Sequence, residues 1–370
     1  KRSAPEPPHK GAYVFSQVMP AAEAFSQWRR LPGEEGRLTP EQSLARLQPA
    51  EDLAVELVLA EPEIAQPLSL KFDDRGRLWV MEYRQYPNPA GLTPTSHDRF
   101  LRTTYDRVPA APPNHTRGAD RISIHEDTTG SGKFDRHTVF LDGLNLATSF
   151  AFDREGVWVL HPPYLLFYPD RNHDDVPDGD PEVHLEGFGL EDSHSLVNSL
   201  CMGPDGWLYA CQGSTVSGAV RPPDLSERKA EAATVHSLGQ LIWRYHPRRR
   251  KYEVFAEGGG NTFGLELDSA GRIFSGHNGG DTRGFHYIQG GYYRKGFDKH
   301  GPLSNPYTFG YFPAMAHHAV PRFTHTMLLY EAVSLPKKYQ GLLFSIAPLQ
   351  GQVLISERSA ELSTFRTRDL

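Results

Sequence analysis

From Leu53 onward the chain repeats one hydrophobic pattern. An apolar strand leads into a polar turn with a glycine, and an apolar or aromatic strand follows. The copies read LSLKFDDRGRLWVM, TSFAFDREGVWVL, VNSLCMGPDGWLYA, FGLELDSAGRIFS and SLPKKYQGLLFS, with turn glycines at Gly76, Gly156, Gly206, Gly271 and Gly341. A second strand pair follows each hairpin: RISIHED with HTVFLDG, YLLFYPD with EVHLEGF, QLIWRYH with YEVFAEG, FHYI with GYYRKG, and QVLISER with STFRTRD. Four strands per unit, recurring every 50 to 80 residues, predict a β-propeller. One blade cannot bury both of its faces, so neighbouring blades must stack.

Five blades are visible. Residues 53–60, LAVELVLA, read as an extra strand with no partner in its own unit, suited to completing a further blade. The expected fold is therefore all-β, a six-bladed β-propeller whose last blade is incomplete at Leu370. A five-bladed ring with a fraying first strand is the alternative. The propeller spans 51–370. Residues 1–50 form an N-terminal extension, Pro-rich and then helical. In it Thr39-Pro40-Glu41-Gln42 predicts a helix start, with Thr39 as N-cap, Pro40 in first position and Gln42 reaching back. Leu44 and Leu47 would share one face of that helix.

Composition removes several functional classes. Hydrophobic residues make up 38% and aromatic residues 11%, which excludes a disordered chain. The net charge of −6 leaves no basic excess to hold a nucleic acid. No run of about 18 apolar residues occurs, so no membrane span is expected. The sequence begins at Lys1 without an apolar leader, which reads as a processed N-terminus. The two cysteines, Cys201 and Cys211, flank a four-residue turn. That parity sets Cys201 opposite Leu208 and Cys211 opposite Asn198. The thiols then point to opposite faces about 10 Å apart, and no disulfide is expected.

Candidate chemistry gathers at the blade entrances. Glu191-Asp192-Ser193-His194-Ser195 enters blade three and Asn198 follows; a histidine two residues from a carboxylate suits a general base. Glu257-Gly258-Gly259-Gly260-Asn261 enters blade four, where glycines permit a tight turn or a close approach to a ligand. It is not a phosphate loop, because it opens a strand and lacks the Lys-Ser/Thr. Asp281 and Arg283 leave the same hairpin, suited to a polar ligand, a cation or a simple Asp–Arg turn. Glu82, Arg84 and Tyr86 alternate at the exit of blade one, so Arg84 faces either an anionic ligand or Glu82. Asp170, Asn172, Asp174 and Asp178 place oxygen donors at alternate positions, as in a calcium loop, although Asp175 stands where such loops use glycine. Asp127 to Asp135 repeats the spacing with fewer carboxylates.

The motifs also resemble a known family. EDSHSLVNSL, LGQLIWRYHP, GGGNTFGLELDSAGRIFSGHNGG and GDTRGFHYIQGGYY follow the order found in soluble quinoprotein glucose/sorbosone dehydrogenases. They look closest to the membrane-bound-dehydrogenase-like propellers of planctomycetes and verrucomicrobia, which often carry a c-type haem domain. The resemblance covers residues 53–370. It implies a six-bladed propeller holding pyrroloquinoline quinone and calcium, with His194 as the base that takes a proton from a sugar hydroxyl. Arg84, Asp192, Asn198, Asn261, Asp281 and Arg283 would bind substrate or cofactor. The family's Arg-Asn pair falls on Gly260-Asn261, so the Asn is kept and the Arg is replaced. A small carbohydrate or alcohol substrate, a c-type haem domain or cytochrome as electron acceptor, and a periplasmic or secreted location are implied with it. Two other readings stand beside it: a non-catalytic propeller that binds a glycan or a partner, and a metal-dependent hydrolase or lactonase of the six-bladed type.

Overall fold

The computed structural model describes residues 38–277, 282–295, 310–317, 326–347 and 350–370. The chain divides into two compact units, 1–60 and 61–370. In the first unit, α1 (Pro40–Leu44) starts on the expected capping box. Thr39 Oγ1 accepts from the Gln42 N–H at 3.2 Å, and Gln42 Oε1 accepts from the Thr39 N–H at 2.9 Å. The helix stops at Leu44, so Leu47 lies beyond it, exposed. Residues 53–60 form no strand, contrary to expectation. Their apolar side chains Val55, Leu57 and Val58 are exposed, and an edge without a neighbour has no ladder to join.

The second unit is an all-β propeller with five blades in the described residues. Blade one runs β1 (Pro67–Phe72), β2 (Leu78–Glu82), a small hairpin of β3 (Pro94–His97) and β4 (Thr103–Tyr105), then β5 (Asp120–Glu126) and β6 (Arg136–Leu144). Blade two is β7 (Ser149–Asp153), β8 (Gly156–His161), β9 (Tyr164–Pro169) and β10 (Glu182–Phe188). Blade three opens with β11 (Asn198–Met202) and β12 (Leu208–Gln212). An excursion follows through β13 (Ser217–Arg221), α2 (Glu227–Ala233) and β14 (Val235–Leu238), before β15 (Leu241–His246) and β16 (Lys251–Glu257) close the blade. The excursion pairs with β10, so blade two grows to six strands. Blade four has β17 (Glu266–Leu267), β18 (Ile273–Gly276) and β19 (Gly284–Tyr287). Blade five has β20 (Ala316–His317), β21 (Met327–Leu329), β22 (Leu343–Ala347), β23 (Gln352–Glu361) and β24 (Thr364–Asp369). The segment GYYRKG was expected beside FHYI. Tyr292 and Tyr293 instead form parallel bridges to Glu257 and Phe312.

Period-2 alternation explains the stacking. Met81, Ile122 and Ile124 of blade one meet Phe150, Val157, Val159 and Leu166 of blade two. The opposite face of blade two, Ala151, Trp158, Leu160 and Leu165, meets Leu208, Leu241 and Trp243 of blade three. Blade three packs on Phe285 and Tyr287 of blade four, and Phe274 of blade four packs on Met327, Leu343 and Phe365 of blade five. At the two ends of this stack, Leu70 and Phe72 of blade one and Ile346 and Val353 of blade five lie exposed.

An aspartate closes three of the hairpins in the same way. Asp73 Oδ1 accepts from the N–H groups of Arg75 and Arg77 at 3.0 and 2.9 Å, while Oδ2 accepts from Arg77 Nε and Trp79 Nε1 at 2.7 and 2.9 Å. Asp268 does the same for Ala270 and Arg272, and Asp98 for Phe100 and Arg102. The fourth residue of each turn, Gly76, Gly271 or Leu101, has φ of 76°, 73° or 64°. Arg77 then reaches the neighbouring blade and grips Asp175 with both guanidinium nitrogens, at 2.6 and 2.9 Å. In blade three Asn198 pairs with Cys211 as expected, but a bulge sets Cys201 opposite Tyr209 instead of Leu208, so that both thiols face the same apolar cluster and not opposite faces as expected. Both thiols are free, and burial pushes Cys201 up to about 12.

Although burial raises the pKa of Asp73, the hydrogen bonds from Arg77 and Trp79 and the Arg77 charge outweigh it and hold the carboxyl below its ordinary 3.8. Its contribution is therefore present above about pH 4 and lost as pH falls through the lowered value. Asp73→Ala is expected to cost about 2–4 kcal/mol in urea unfolding at pH 7, and clearly less near pH 3. An equal cost at both pH values would show that the carboxylate charge is not what holds the turn.

Candidate functional site

In an up-and-down blade, the connection from second to third strand and the connection to the next blade emerge at the same edge of the sheet. Residues 83–119, 189–197, 213–240 and 258–265 are such connections. Four of them meet around His194.

Asp192 organises the loop before blade three. Its Oδ1 accepts from both the backbone N–H and Nδ1 of His194, each at 2.9 Å. Oδ2 accepts from Thr215 Oγ1, and from Ser195 Oγ at 3.4 Å. Burial raises the Asp192 pKa, but the hydrogen bonds from Thr215 and His194 and the imidazole's charge overcome it and leave the pKa below the ordinary value. The ionised carboxylate accepts only, so Nδ1 of a neutral His194 carries the proton and Nε2 the lone pair. Nε2 receives the phenol of Tyr86 at 2.5 Å, with the two rings edge to face, 5.4 Å apart. The His194 side chain is 68% exposed and that of Asp192 is 19% exposed, so a solvent-facing base sits on a shielded acid.

The loop is held from several sides. Asn261 Oδ1 accepts from the Ser214 N–H at 2.8 Å and from Ser195 Oγ at 3.3 Å, and its Nδ2 donates to the His194 carbonyl at 3.5 Å. Glu191 accepts from the N–H and hydroxyl of Ser217, and its carbonyl takes the Thr103 N–H at 2.6 Å. Gly213 passes so close that a Cβ there would lie 2.6 Å from Ser195 Cα. On the Tyr86 side, buried Asp120 accepts from the N–H groups of Gln85 and Ala147 at 2.6 and 2.9 Å. Burial lifts Asp120 to about 6 against those hydrogen bonds. Tyr86 leans on Tyr83, ring centres 5.4 Å apart, and the charge of Asp192 reaches Tyr105 as well.

The structure thus brings Asp192, His194 and Asn261 together and sends other expected residues elsewhere. Asn198 is buried and donates to the carbonyls of Leu196 and Thr262 at 2.9 and 3.1 Å, joining two blade entrances. Arg283 is 1% exposed and forked onto Asp369 of β24, an ion pair between blades four and five. Arg84 is exposed on the Tyr86 loop. It does not pair with Glu82, which is fully buried and takes Arg121 Nε at 2.6 Å and Ser123 Oγ at 3.0 Å. Asp281 lies outside the described residues. Ser195 joins from the expected His194 segment, and Tyr86 and Thr215 join the cluster without having been expected there. The sequence presents Tyr86 only through its strand alternation, and Thr215 follows a strand with no chemical motif around it.

In the expected calcium loop the oxygens are engaged with protein donors. Asp170 Oδ1 and Asn172 Oδ1 face the Asp174 N–H at 3.2 and 3.3 Å, Asn172 Nδ2 donates to Asp174, and Asp178 takes Arg171. Asp127 is likewise wrapped by the N–H groups of Thr129, Ser131 and Gly132. Among the described residues no three His, Cys, Asp or Glu side chains converge as a metal group.

Position 260 has its own constraint. A Cβ on Gly260 would lie 1.8 Å from His277 Nδ1. Gly260→Ala is expected to cost about 1–3 kcal/mol in chemical denaturation, because an overpacked site must shift its neighbour. His277→Ala in the same chain should recover most of that loss. Full tolerance of the single substitution would show that His277 is not what fills the space.

No curated protein sequence matches the chain. Among solved structures, it is similar to a candidate oxidoreductase (glucose dehydrogenase) from Thermus thermophilus, at 17% identity and TM-score 0.45, over 82% of each chain. It is also similar to the PQQ-bound form of aldose sugar dehydrogenase from Streptomyces coelicolor, at 14% identity and TM-score 0.45, over 83% of this chain and 81% of that one. Likenesses at this level carry no chemistry to this chain. Residues 39–367 match the model of a family described as Domain of unknown function (DUF7133).

Proposed function

We propose, for a chain that belongs to the DUF7133 family, a dehydrogenase-like propeller in which His194 takes the proton of a carbohydrate or alcohol hydroxyl. The observation that carries this reading is the hydrogen-bonded line Asp192–His194–Tyr86, with an exposed imidazole at its centre. Asp192 fixes the tautomer and balances the imidazolium when a proton arrives. Tyr86 and Tyr105 offer aromatic surface beside an acid, a combination that suits the apolar faces and hydroxyls of a sugar.

The quinone implied by the family resemblance is a tricarboxylate and needs cations around it. Position 260 is a glycine backed by His277, Arg283 is consumed by Asp369, and the groups on His194 itself are a carboxylate and a phenol. Of the cations expected to serve the site, Arg84 alone is exposed. These residues do not fit a tricarboxylate, and no step is assigned to it. The calcium, the haem-bearing electron acceptor and a periplasmic or secreted location belong to the same resemblance. The lack of a cationic cradle among the described residues favours a second reading, a propeller that binds a glycan without turning it over.

Dye reduction separates the two. The protein would be mixed with D-glucose, D-xylose or glycerol and dichlorophenolindophenol, with and without added quinone and calcium. Under the first reading His194→Asn lowers turnover by about 10²–10⁴-fold with the thermal midpoint unchanged. Normal turnover in the variant sinks the base assignment. Calorimetric binding of the sugar with no dye reduction by the unaltered protein establishes the second reading instead.

A further inference from the structure

We propose that Tyr86 is the outer member of a proton relay, so that a substrate hydroxyl passes its proton to the Tyr86 oxygen while the Tyr86 proton moves to His194. The proposal rests on His194 acting as the base and deepens that reading.

The reason lies in which atoms remain free. Nδ1 of His194 is committed to Asp192, and Nε2 is met by Tyr86 Oη at 2.5 Å. A hydroxyl seeking Nε2 directly must first displace the phenol. A phenol, however, has one proton and an acceptor oxygen, so it donates to Nε2 and still accepts from another hydroxyl. Tyr86 is 36% exposed, which leaves its oxygen within reach of a ligand. It is also held in place. Its ring leans on buried Tyr83, and the adjacent Gln85 N–H is tied to Asp120 at 2.6 Å.

The step balances within the residues present. The substrate O–H bond breaks and a new Tyr86 O–H bond forms. The former Tyr86 O–H bond breaks and Nε2–H forms. The products are a substrate alkoxide, an unchanged tyrosine and an imidazolium facing Asp192. Burial, and secondarily the charge of Asp192, raises the Tyr86 pKa, so a free phenolate is disfavoured and the two transfers are coupled.

Tyr86→Phe keeps the ring and removes the relay. Its fold is checked by its thermal midpoint. With D-glucose and the dye, kcat is expected to fall at least about tenfold with KM little changed. The dependence of rate on the deuterium fraction of the solvent should change from curved, with two protons in flight, to linear. In the ligand-free protein, the ¹⁵N resonance of His194 Nε2 should move toward that of a free lone pair. Replacing Tyr86 by 3,5-difluorotyrosine, which alters acidity and spares packing, should change the rate even if Tyr86→Phe folds poorly. Loss of turnover in His194→Asn with Tyr86→Phe within twofold of the parent overturns the relay alone. Normal turnover in both variants overturns the base and the relay together. An Nε2 resonance unmoved by Tyr86→Phe removes the contact on which the relay stands.

Discussion

Everything at the His194 site depends on one constraint, that each sheet must bury both of its faces. β8 and β9 are buried along their whole lengths, because Trp158 and Leu160 face one neighbour while Val157 and Val159 face the other. Sheets that bury two faces stack in chain order, and stacking in order sets their connections side by side at one edge. His194, Asn261, Thr215 and Tyr86 come from four such connections, from 83–119 to 258–265. None of these four residues lies in a strand or helix of its own loop. Their aim is borrowed from the sheets beneath.

Carboxylates transmit that order to the loops. Asp73, Asp98 and Asp268 each satisfy two turn N–H groups and an arginine at the end of a hairpin. Asp120 and Asp192 do comparable work at the opposite connections, but their partners are far apart in sequence. A carboxylate has about four acceptor sites and no donor, so it suits a place where several N–H and O–H groups converge. Asp120 and Asp192 differ in what opposes their burial. Backbone N–H groups leave Asp120 raised to about 6, whereas Thr215 and the imidazole keep Asp192 below the ordinary value. The one held below its ordinary value stands beside the histidine.

Short-range features were legible in the sequence, and long-range ones were not. The five turn glycines, the Thr39–Gln42 capping box and the opposition of Asn198 and Cys211 follow from spacing within a dozen residues. Asp192 and His194 are two residues apart, and their bond was legible for that reason. By contrast, β13 leaves blade three to pair with β10 and carries β14 with it, and no local pattern announces a partner in another blade. The bond from Arg283 to Asp369 spans 86 positions, so an arginine whose local pattern suits a ligand serves as an internal brace. Tyr86 is 108 positions from His194. Its alternation with Glu82 and Arg84 is sound strand geometry, yet the strand ends at Glu82, and the chain then carries Tyr86 to a different neighbour.

The electrostatics of the cluster restrict what it can hold. Asp192 and Glu191 contribute carboxylates, Tyr86, Thr215 and Ser195 contribute hydroxyls, and Arg283 is neutralised elsewhere. An anionic ligand placed against His194 would meet a second negative charge one side chain away, in a partly shielded setting where screening by water is reduced. A neutral polyol meets no such penalty, and its hydroxyls match both the acceptors and the donors present. The imidazolium formed by proton uptake is stabilised by the same Asp192 charge that would repel an anion. Under the proposed reading, a site built this way gains most from a ligand that arrives neutral and gives up a proton.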